Sequence, residues 1–277
     1  MSVGAAARRG TGETRRAGER AERNPGFPWL ARAGLLARGV VYGVIGAIAI
    51  AVAAGTGTSP ANQQGALEII AGQPLGSVLL GLLAAGLAGY SAWRLTRAVT
   101  GHGREETDGT GERIAAAASG ISYFALFVVA IKILFSAGAG GSTTKQTAGV
   151  LGWPAGPDLV AAAGGVLVCV GVYQAYKALA RKFMETSRTD QMSPGARRGY
   201  AALGVLGHLA RSVVFLLVGY GLIRAGADYE PNRASGLDGA LRELAHASYG
   251  PELLGLVAAG LIAFAVYSVA DARYRKI

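Results

Sequence analysis

Six stretches of about twenty apolar residues, each long enough to cross a bilayer as a helix, alternate with segments rich in Gly, Pro and polar residues. They lie near residues 33–55, 76–98, 114–137, 158–180, 203–225 and 252–271. Only a helix or a closed barrel satisfies its own backbone in hydrocarbon, and runs of this length fit helices. The pattern therefore predicts an all-α integral membrane protein with six transmembrane helices. Arg38, Lys132 and Arg211 each interrupt one run. Residues 1–26 are polar and Arg-rich without an apolar run, which predicts a disordered basic tail. A basic arm for anionic headgroups or nucleic acid fits less well, because Glu13, Glu19 and Glu22 dilute the charge. The "AVA" at 51–53 looks like a signal-peptide cleavage site, but too long a polar region precedes it.

Charge orients the spans. The chain carries 27 Lys and Arg, a net charge of +10 and only 16% charged residues. With a cytoplasmic N-terminus, twenty of these cations fall in the stretch up to Arg32, in 94–113, in 177–198 and from Arg273 onward, all on the cytoplasmic side. Lys145, Arg224, Arg233 and Arg242 fall at or beyond the outer face. This positive-inside bias places both termini in the cytoplasm and the protein in the cell membrane as a multi-pass chain. It also accounts for the basic composition, so nucleic acid is not needed as a partner.

The apolar phrase "LLGLLAAGL" at 79–87 returns as "LLGLVAAGL" at 253–261. An offset of 174 also aligns "GAL" at 65–67 with 239–241 and Trp93 with Tyr267, and an offset of 80 aligns Gly76 with Gly156 and Trp93 with Tyr173. The first helices align as "ARGVVY" at 37–42, "ASGISY" at 118–123 and "ARSVVF" at 210–215. The chain thus reads as three tandem hairpins at 27–102, 112–182 and 200–277, the middle one diverged. Each hairpin contains two spans, so all three share one topology. A parallel arrangement about a pseudo-threefold axis along the membrane normal is the simplest closed bundle.

"ARGVVYG", then "GAL…QPLG", then "LLGLLAAGLAGYSAWR" resembles the bacterial membrane family catalogued as domain of unknown function 1206. The resemblance covers about residues 30–275 and departs in the middle hairpin, where Ser119 replaces the helix-entry Arg and "GWPAG" replaces "QPLG". It implies a fold of three two-helix units and no assigned activity.

Small residues recur at every fourth position of the even helices, as Gly81, Ala85 and Gly89, as Ala161, Gly165 and Cys169, and as Gly255, Ala259 and Ala263. This spacing puts each trio on one helix face and predicts three packing stripes. Cys169, the only cysteine, reads as a small packing residue and excludes an intramolecular disulfide.

Candidate chemistry is sparse. His102, His208 and His246 lie at three levels and predict no metal site. No phosphate-loop, metalloprotease or triad spacing is present, and "GAGG" at 138–141 reads as a flexible turn. No cofactor is implied. "GALEIIAG" at 65–72 and "SGLDGALRELAHA" at 235–247 read as short helices in the outer connections. Ser235 and Asp238 have a spacing like that of a capping box. These helices serve either to cover a hairpin connection or as a lid or docking surface.

Arg38 and Arg211 share one repeat position, about two turns inside the cytoplasmic end. They either snorkel or link neighbouring hairpins, or they contact an anionic group or headgroup in a polar cavity. Lys132 and Arg224 share an outer position in repeats two and three, and Asp158 and Glu252 share another; repeat one has Ala51 and Val78 there. The joint presence predicts two structural ion pairs, Lys132 with Asp158 and Arg224 with Glu252, against a reading in which all four snorkel.

Three functions compete. A non-catalytic membrane protein acting through lipids, including anionic headgroups on the cytoplasmic face, or through a membrane protein partner or second copy fits the Gly/Ala-rich spans. A small transporter or channel along the pseudo-threefold axis requires polar residues through the full depth, and the midplane is mostly Ala, Val, Leu and Gly apart from Tyr42, Tyr90, Tyr123 and Tyr220. A membrane enzyme acting on lipids would need a catalytic set, and no spacing supplies one.

Overall fold

The computed structural model describes residues 27–57, 59–74, 76–100, 110–135, 143–234 and 236–276. The tail at 1–26, His102, the Gly-rich turn at 138–141 and Ser235 of the expected capping box lie outside the described residues. The α-helices of the described residues are, in order, α1 Phe27–Ala53, α2 Gln63–Ala71, α3 Gly76–Thr100, α4 Thr110–Phe135, α5 Thr143–Leu151, α6 Gly156–Leu179, α7 Pro194–Ala227, α8 Gly236–Ala245 and α9 Gly250–Tyr274.

Six of these, α1, α3, α4, α6, α7 and α9, are long and apolar enough to cross a membrane. Their spans, from Ala31–Ala53 to Gly250–Tyr274, fall on the six apolar runs of the sequence. α7 differs in length. Its 34 residues make a helix of about 50 Å at 1.5 Å per residue, against a hydrocarbon thickness of about 30 Å. Its Pro194 end carries the exposed Arg197 and Arg198. Ser193 caps that end by accepting from the Ala196 amide at 3.3 Å.

The chain forms two compact units. The first comprises the chain up to Arg38 with Pro74–Ala137, and the second Gly39–Gln73 with Gly138–Lys276.

In the first unit, α1 and α3 touch through glycine. A Cβ on Gly34 would collide with Cβ of Tyr90, and one on Gly86 would come 2.9 Å from Ala37 Cβ. α3 then meets α4, where a Cβ on Gly120 would lie 2.7 Å from Leu95 Cγ. Ser91 Oγ donates to the Gly120 carbonyl at 2.8 Å.

The second unit repeats these contacts in register. A Cβ on Gly207 of α7 would come 2.6 Å from Phe264 Cα of α9, and one on Gly260 would come 2.5 Å from Ala210 Cβ. These four residues are the repeat equivalents of Gly34, Tyr90, Gly86 and Ala37. Ser212 Oγ of α7 donates to the Gly171 carbonyl of α6 at 2.7 Å, repeating Ser91 on Gly120 with the two residues exchanged. Further along α6 and α7, Gly164 and Gly219 face each other so closely that a Cβ on Gly219 would come 2.8 Å from the Gly164 carbonyl oxygen. At the same register, a Cβ on Gly46 of α1 would lie 2.7 Å from Ile262 and 3.1 Å from the Ala258 carbonyl of α9.

The packing stripe is thereby corrected. Gly81, Gly165 and Gly255 have open space where a Cβ would stand. Ala85, Ala259 and Cys169 are exposed. Of the nine residues, Gly89 and Ala263 are buried, and Ala161 lies against Gly226. The close approaches fall one position to either side, at Gly86, at Gly164, and at Ala258 and Gly260. Helices this rich in small residues carry several four-residue registers at once. The choice among them is made by the matching glycines on the partner helix, here Gly34, Gly46, Gly207 and Gly219.

The connections within the three hairpins hold three short helices. α2 and α8 fall on the two expected segments. Asn62 caps α2 by accepting from the Gly65 amide at 2.8 Å. Asp238 of α8 accepts from the Ala61 amide at 2.7 Å and from Arg242 Nε at 3.1 Å, so its carboxylate ties the two segments together. The third helix, α5, has no counterpart among the expected elements. It is held by burial of Leu151 beside Val160, Ala225 and Ala234, and by the Tyr229 hydroxyl donating to the Leu151 carbonyl at 3.0 Å.

Candidate functional site

Each unit gathers arginine and aromatic side chains toward the basic ends of its long helices. In the first unit Arg38 is buried on α1, and its guanidinium donates to the Tyr90 hydroxyl at 3.1 Å while lying 5.6 Å from the ring centroid. Arg94 Nε donates to the same hydroxyl at 3.1 Å, one helical turn on from Tyr90. Arg97 stands over Trp93 at 5.1 Å, and Tyr123 of α4 packs edge-on against Tyr90 at 4.5 Å. Two guanidinium groups thus share one phenolic oxygen and two ring faces. Cation–π contacts of this kind stabilise by about 0.5–2 kcal/mol depending on desolvation.

In the second unit Arg211 occupies the Arg38 position. Its guanidinium lies 4.5 Å from the ring of Phe264, the repeat equivalent of Tyr90, 5.2 Å from Tyr42 and 5.4 Å from Phe215. Phe264 offers a ring but no hydroxyl. The Nε of Arg211 is buried and makes no hydrogen bond among the described residues. The middle hairpin has Ser119 and Val170 at the two positions, so the cation and the ring are lost together.

Below Arg211, toward the start of α7, lies a polar cluster. Asp271 is fully buried, and its carboxylate accepts from the Tyr200 hydroxyl at 2.9 Å and from Arg275 Nη1 at 3.2 Å. The Tyr200 hydroxyl also lies 2.7 Å from Ser187 Oγ and 3.2 Å from the Tyr267 hydroxyl. His208 packs among Phe183, Phe264 and Tyr267 at ring distances of 5.3–5.4 Å. The end of the chain closes the cluster. Arg188 N donates to the Tyr274 carbonyl at 2.8 Å and Lys276 N to the Thr186 carbonyl at 3.1 Å, and Ser187 and Arg275 form an antiparallel bridge. Two short 3₁₀ turns, Lys182–Met184 and Thr189–Gln191, bring Phe183 and Ser187 into place. The elements are a carboxylate, a guanidinium, two phenols and a serine joined by hydrogen bonds, a set that fixes a helix end.

Sequence reasoning singled out Arg38 and Arg211 but missed Ser187, Tyr200, Asp271 and Arg275. The readable signal was Asp271 followed four residues later by Arg275 near the end of an apolar helix, a spacing that pairs charges on one face. The expected pair of Arg224 with Glu252 is not formed. Arg224 Nε instead meets Asp228 at 3.0 Å, four residues along its own chain, and Nη1 donates to Tyr220 at 3.2 Å. Asp158 and Glu252 both stand in the first turn of their helices, just after Pro157 and Pro251, where exposed N–H groups favour negative charge. Each of these helices is entered through a left-handed residue, Ala155 at φ 59° and Tyr249 at φ 57°, followed by Gly156 and Gly250. A Cβ on either glycine would collide with the Val150 or Ala245 carbonyl. Lys132 is exposed on α4 in the first unit, and Asp158 belongs to the second. Among the described residues no cluster of three or more His, Cys, Asp or Glu could hold a metal ion.

The fold and these clusters define a helical, multi-pass membrane protein built from repeated two-helix units. The chain belongs to the family described as Domain of Unknown Function (DUF1206), which matches it three times, at residues 33–101, 114–181 and 206–275. It is 32% identical over 258 residues to "Uncharacterized protein YxxB" of Bacillus subtilis (strain 168), an alignment covering 90% of this chain and 93% of that protein. No solved structure matches it.

Proposed function

We propose that this chain is a non-catalytic protein of the cell membrane that acts by binding lipid or a membrane partner. In this reading both termini are cytoplasmic and the three hairpins are inserted alike about a pseudo-threefold axis. The observation that carries the non-catalytic reading is the hydrogen-bonded network of Ser187, Tyr200, Tyr267, Asp271 and Arg275. The most concentrated buried polar chemistry among the described residues is consumed in holding the end of α9 to the start of α7 and its preceding loop.

Recurrence supports the arrangement. The second helix of each hairpin meets the first helix of the next at one register position: Ser91 with Gly120, Gly171 with Ser212, and Ala265 with Gly39, where a Cβ on Gly39 would stand 3.0 Å from the Ala265 carbonyl oxygen. Three equivalent contacts that run from repeat one to two, two to three and three to one are what a cyclic order of hairpins requires. The positive-inside distribution supports the orientation.

Gentle detergent extraction of the full chain followed by native mass spectrometry tests the binding reading. The expected result is a chain that retains lipid or a second protein in fixed stoichiometry. A chain released bare from the mildest detergents that keep it folded would overturn it.

A further inference from the structure

The repeated arginine has been split between two environments, and the difference assigns a binding site to one copy. Arg38 finds an internal acceptor, the Tyr90 hydroxyl at 3.1 Å. Arg211 meets Phe264 at the equivalent position, 4.5 Å from its ring, where the hydroxyl is missing. Tyr42 and Phe215 complete a three-ring cage around its charge at 5.2 and 5.4 Å. Ring faces attract the cation but accept few hydrogen bonds, and a guanidinium carries five N–H donors. The buried Nε has no acceptor among the described residues. At membrane depth such donors are costly unless an acceptor arrives from outside the chain.

We infer that Arg211, caged by Tyr42, Phe215 and Phe264, is the anchor of a site for a phosphate oxyanion, and that Arg38 is a structural residue with no such ligand. The ligand class follows from the donor geometry. A planar fork of N–H groups matches two oxygens of one phosphate, and the surrounding rings suit the apolar part of an amphiphile. Depth is consistent with an inner-leaflet headgroup. If the surplus length of α7 projects from its Pro194 end, Arg211 lies only about 5 Å inside the hydrocarbon. Helical side chains lean toward the helix N-terminus, which here is the basic end. A lipid headgroup and free phosphate offer the same oxyanion, so the test separates them. This inference rests on the binding reading above.

The test uses the full-length chain, natively purified, with Arg211→Gln, Arg211→Lys and Arg38→Gln. Each protein is placed in nanodiscs of phosphatidylcholine with or without phosphatidylglycerol, and in detergent with or without inorganic phosphate. Retained phosphatidylglycerol is counted by native mass spectrometry and stabilisation is read as a melting shift. Losing one charge-assisted contact pair should weaken binding about ten- to a hundredfold. Parent and Arg38→Gln should therefore retain the anionic lipid while Arg211→Gln loses it, with Arg211→Lys intermediate because a point charge replaces the fork. If inorganic phosphate alone gives the Arg211-dependent shift, the site stands and its ligand is the free anion. Equal retention and equal shifts in parent, Arg211→Gln and Arg211→Lys would overturn the inference while leaving lipid binding elsewhere intact. If Arg211→Gln does not fold, Arg211→Lys and Tyr42→Leu decide it: unchanged binding in both contradicts the cage. A parent chain that retains neither lipid nor partner is a failure of the binding reading itself.

Discussion

Adding one methyl group at different glycines distinguishes the packing face from its neighbours on the same helix. Gly260→Ala would place a Cβ 2.5 Å from Ala210 Cβ, and Gly207→Ala would place one 2.6 Å from Phe264 Cα. Carbon atoms prefer separations of about 3.5–4.0 Å, so each helix pair would have to part by about 1 Å or deform. The atoms opposed are backbone and Cβ, which no rotamer change can move. Overpacking of this kind costs about 1–3 kcal/mol, while replacing a helical Gly by Ala returns up to about 1 kcal/mol of propensity. Gly255→Ala on the same helix meets open space, as do Gly81→Ala and Gly165→Ala. The expected result is a lower melting temperature in detergent for Gly260→Ala and Gly207→Ala and an unchanged or higher one for the other three. At roughly 2–4 °C per kcal/mol for chains of this size, the two groups should differ by several degrees. Equal melting in both groups would refute the close α7–α9 contact. Destabilisation confined to Gly81, Gly165 and Gly255 would restore the stripe that spacing alone suggested.

Tyr200→Phe removes a hydroxyl from the buried Asp271 carboxylate and should destabilise the folded chain by about 1.5–3 kcal/mol, measured by thermal unfolding; no change would mean that the cluster does not hold the α7 and α9 ends. Asp238→Ala takes the acceptor from the Ala61 amide and should speed hydrogen exchange across 59–71 without affecting the basic ends of the helices; unchanged exchange would show that α8 does not secure this segment. For Lys132 and Asp158 a double-mutant cycle to Ala should give a coupling above about 0.5 kcal/mol if the expected ion pair forms, and strict additivity would leave both side chains snorkelling to the headgroups.

The long helices and the repeat were legible because a bilayer imposes length and composition on every span and because repeat copies can be laid over one another. The short helices α2 and α8 were legible from their apolar faces. α5 was not: "TTKQTAGVL" carries little apolar periodicity, and its helix depends on burying Leu151 against residues 160, 225 and 234, which no local window contains. The packing face was misread for a related reason. Gly81 and Gly86 are equally small, and only the glycines of the facing helix decide which one is crossed. At the site, Arg38 and Arg211 were visible as charges in apolar runs and as one repeat position. Their unequal surroundings depend on a single hydroxyl, Tyr90 against Phe264. The Asp271 cluster draws on Ser187, Tyr200, Tyr267 and Arg275, a set joined by tertiary contact across the loop between α6 and α7 and the two ends of the last hairpin. Arg224 illustrates the opposite error: an appealing partner across the hairpin was preferred to Asp228, four residues away on the same chain.

The account depends above all on three hairpins inserted in one sense. Single cysteines at Thr56, Trp153 and Asn232, one per outer connection, in a Cys169→Ser background test this directly with a membrane-impermeant maleimide on intact cells. The account predicts that all three label from outside and that none requires permeabilisation. Labelling at any one of them only after the cytoplasmic face is opened would contradict the parallel hairpins and the orientation together.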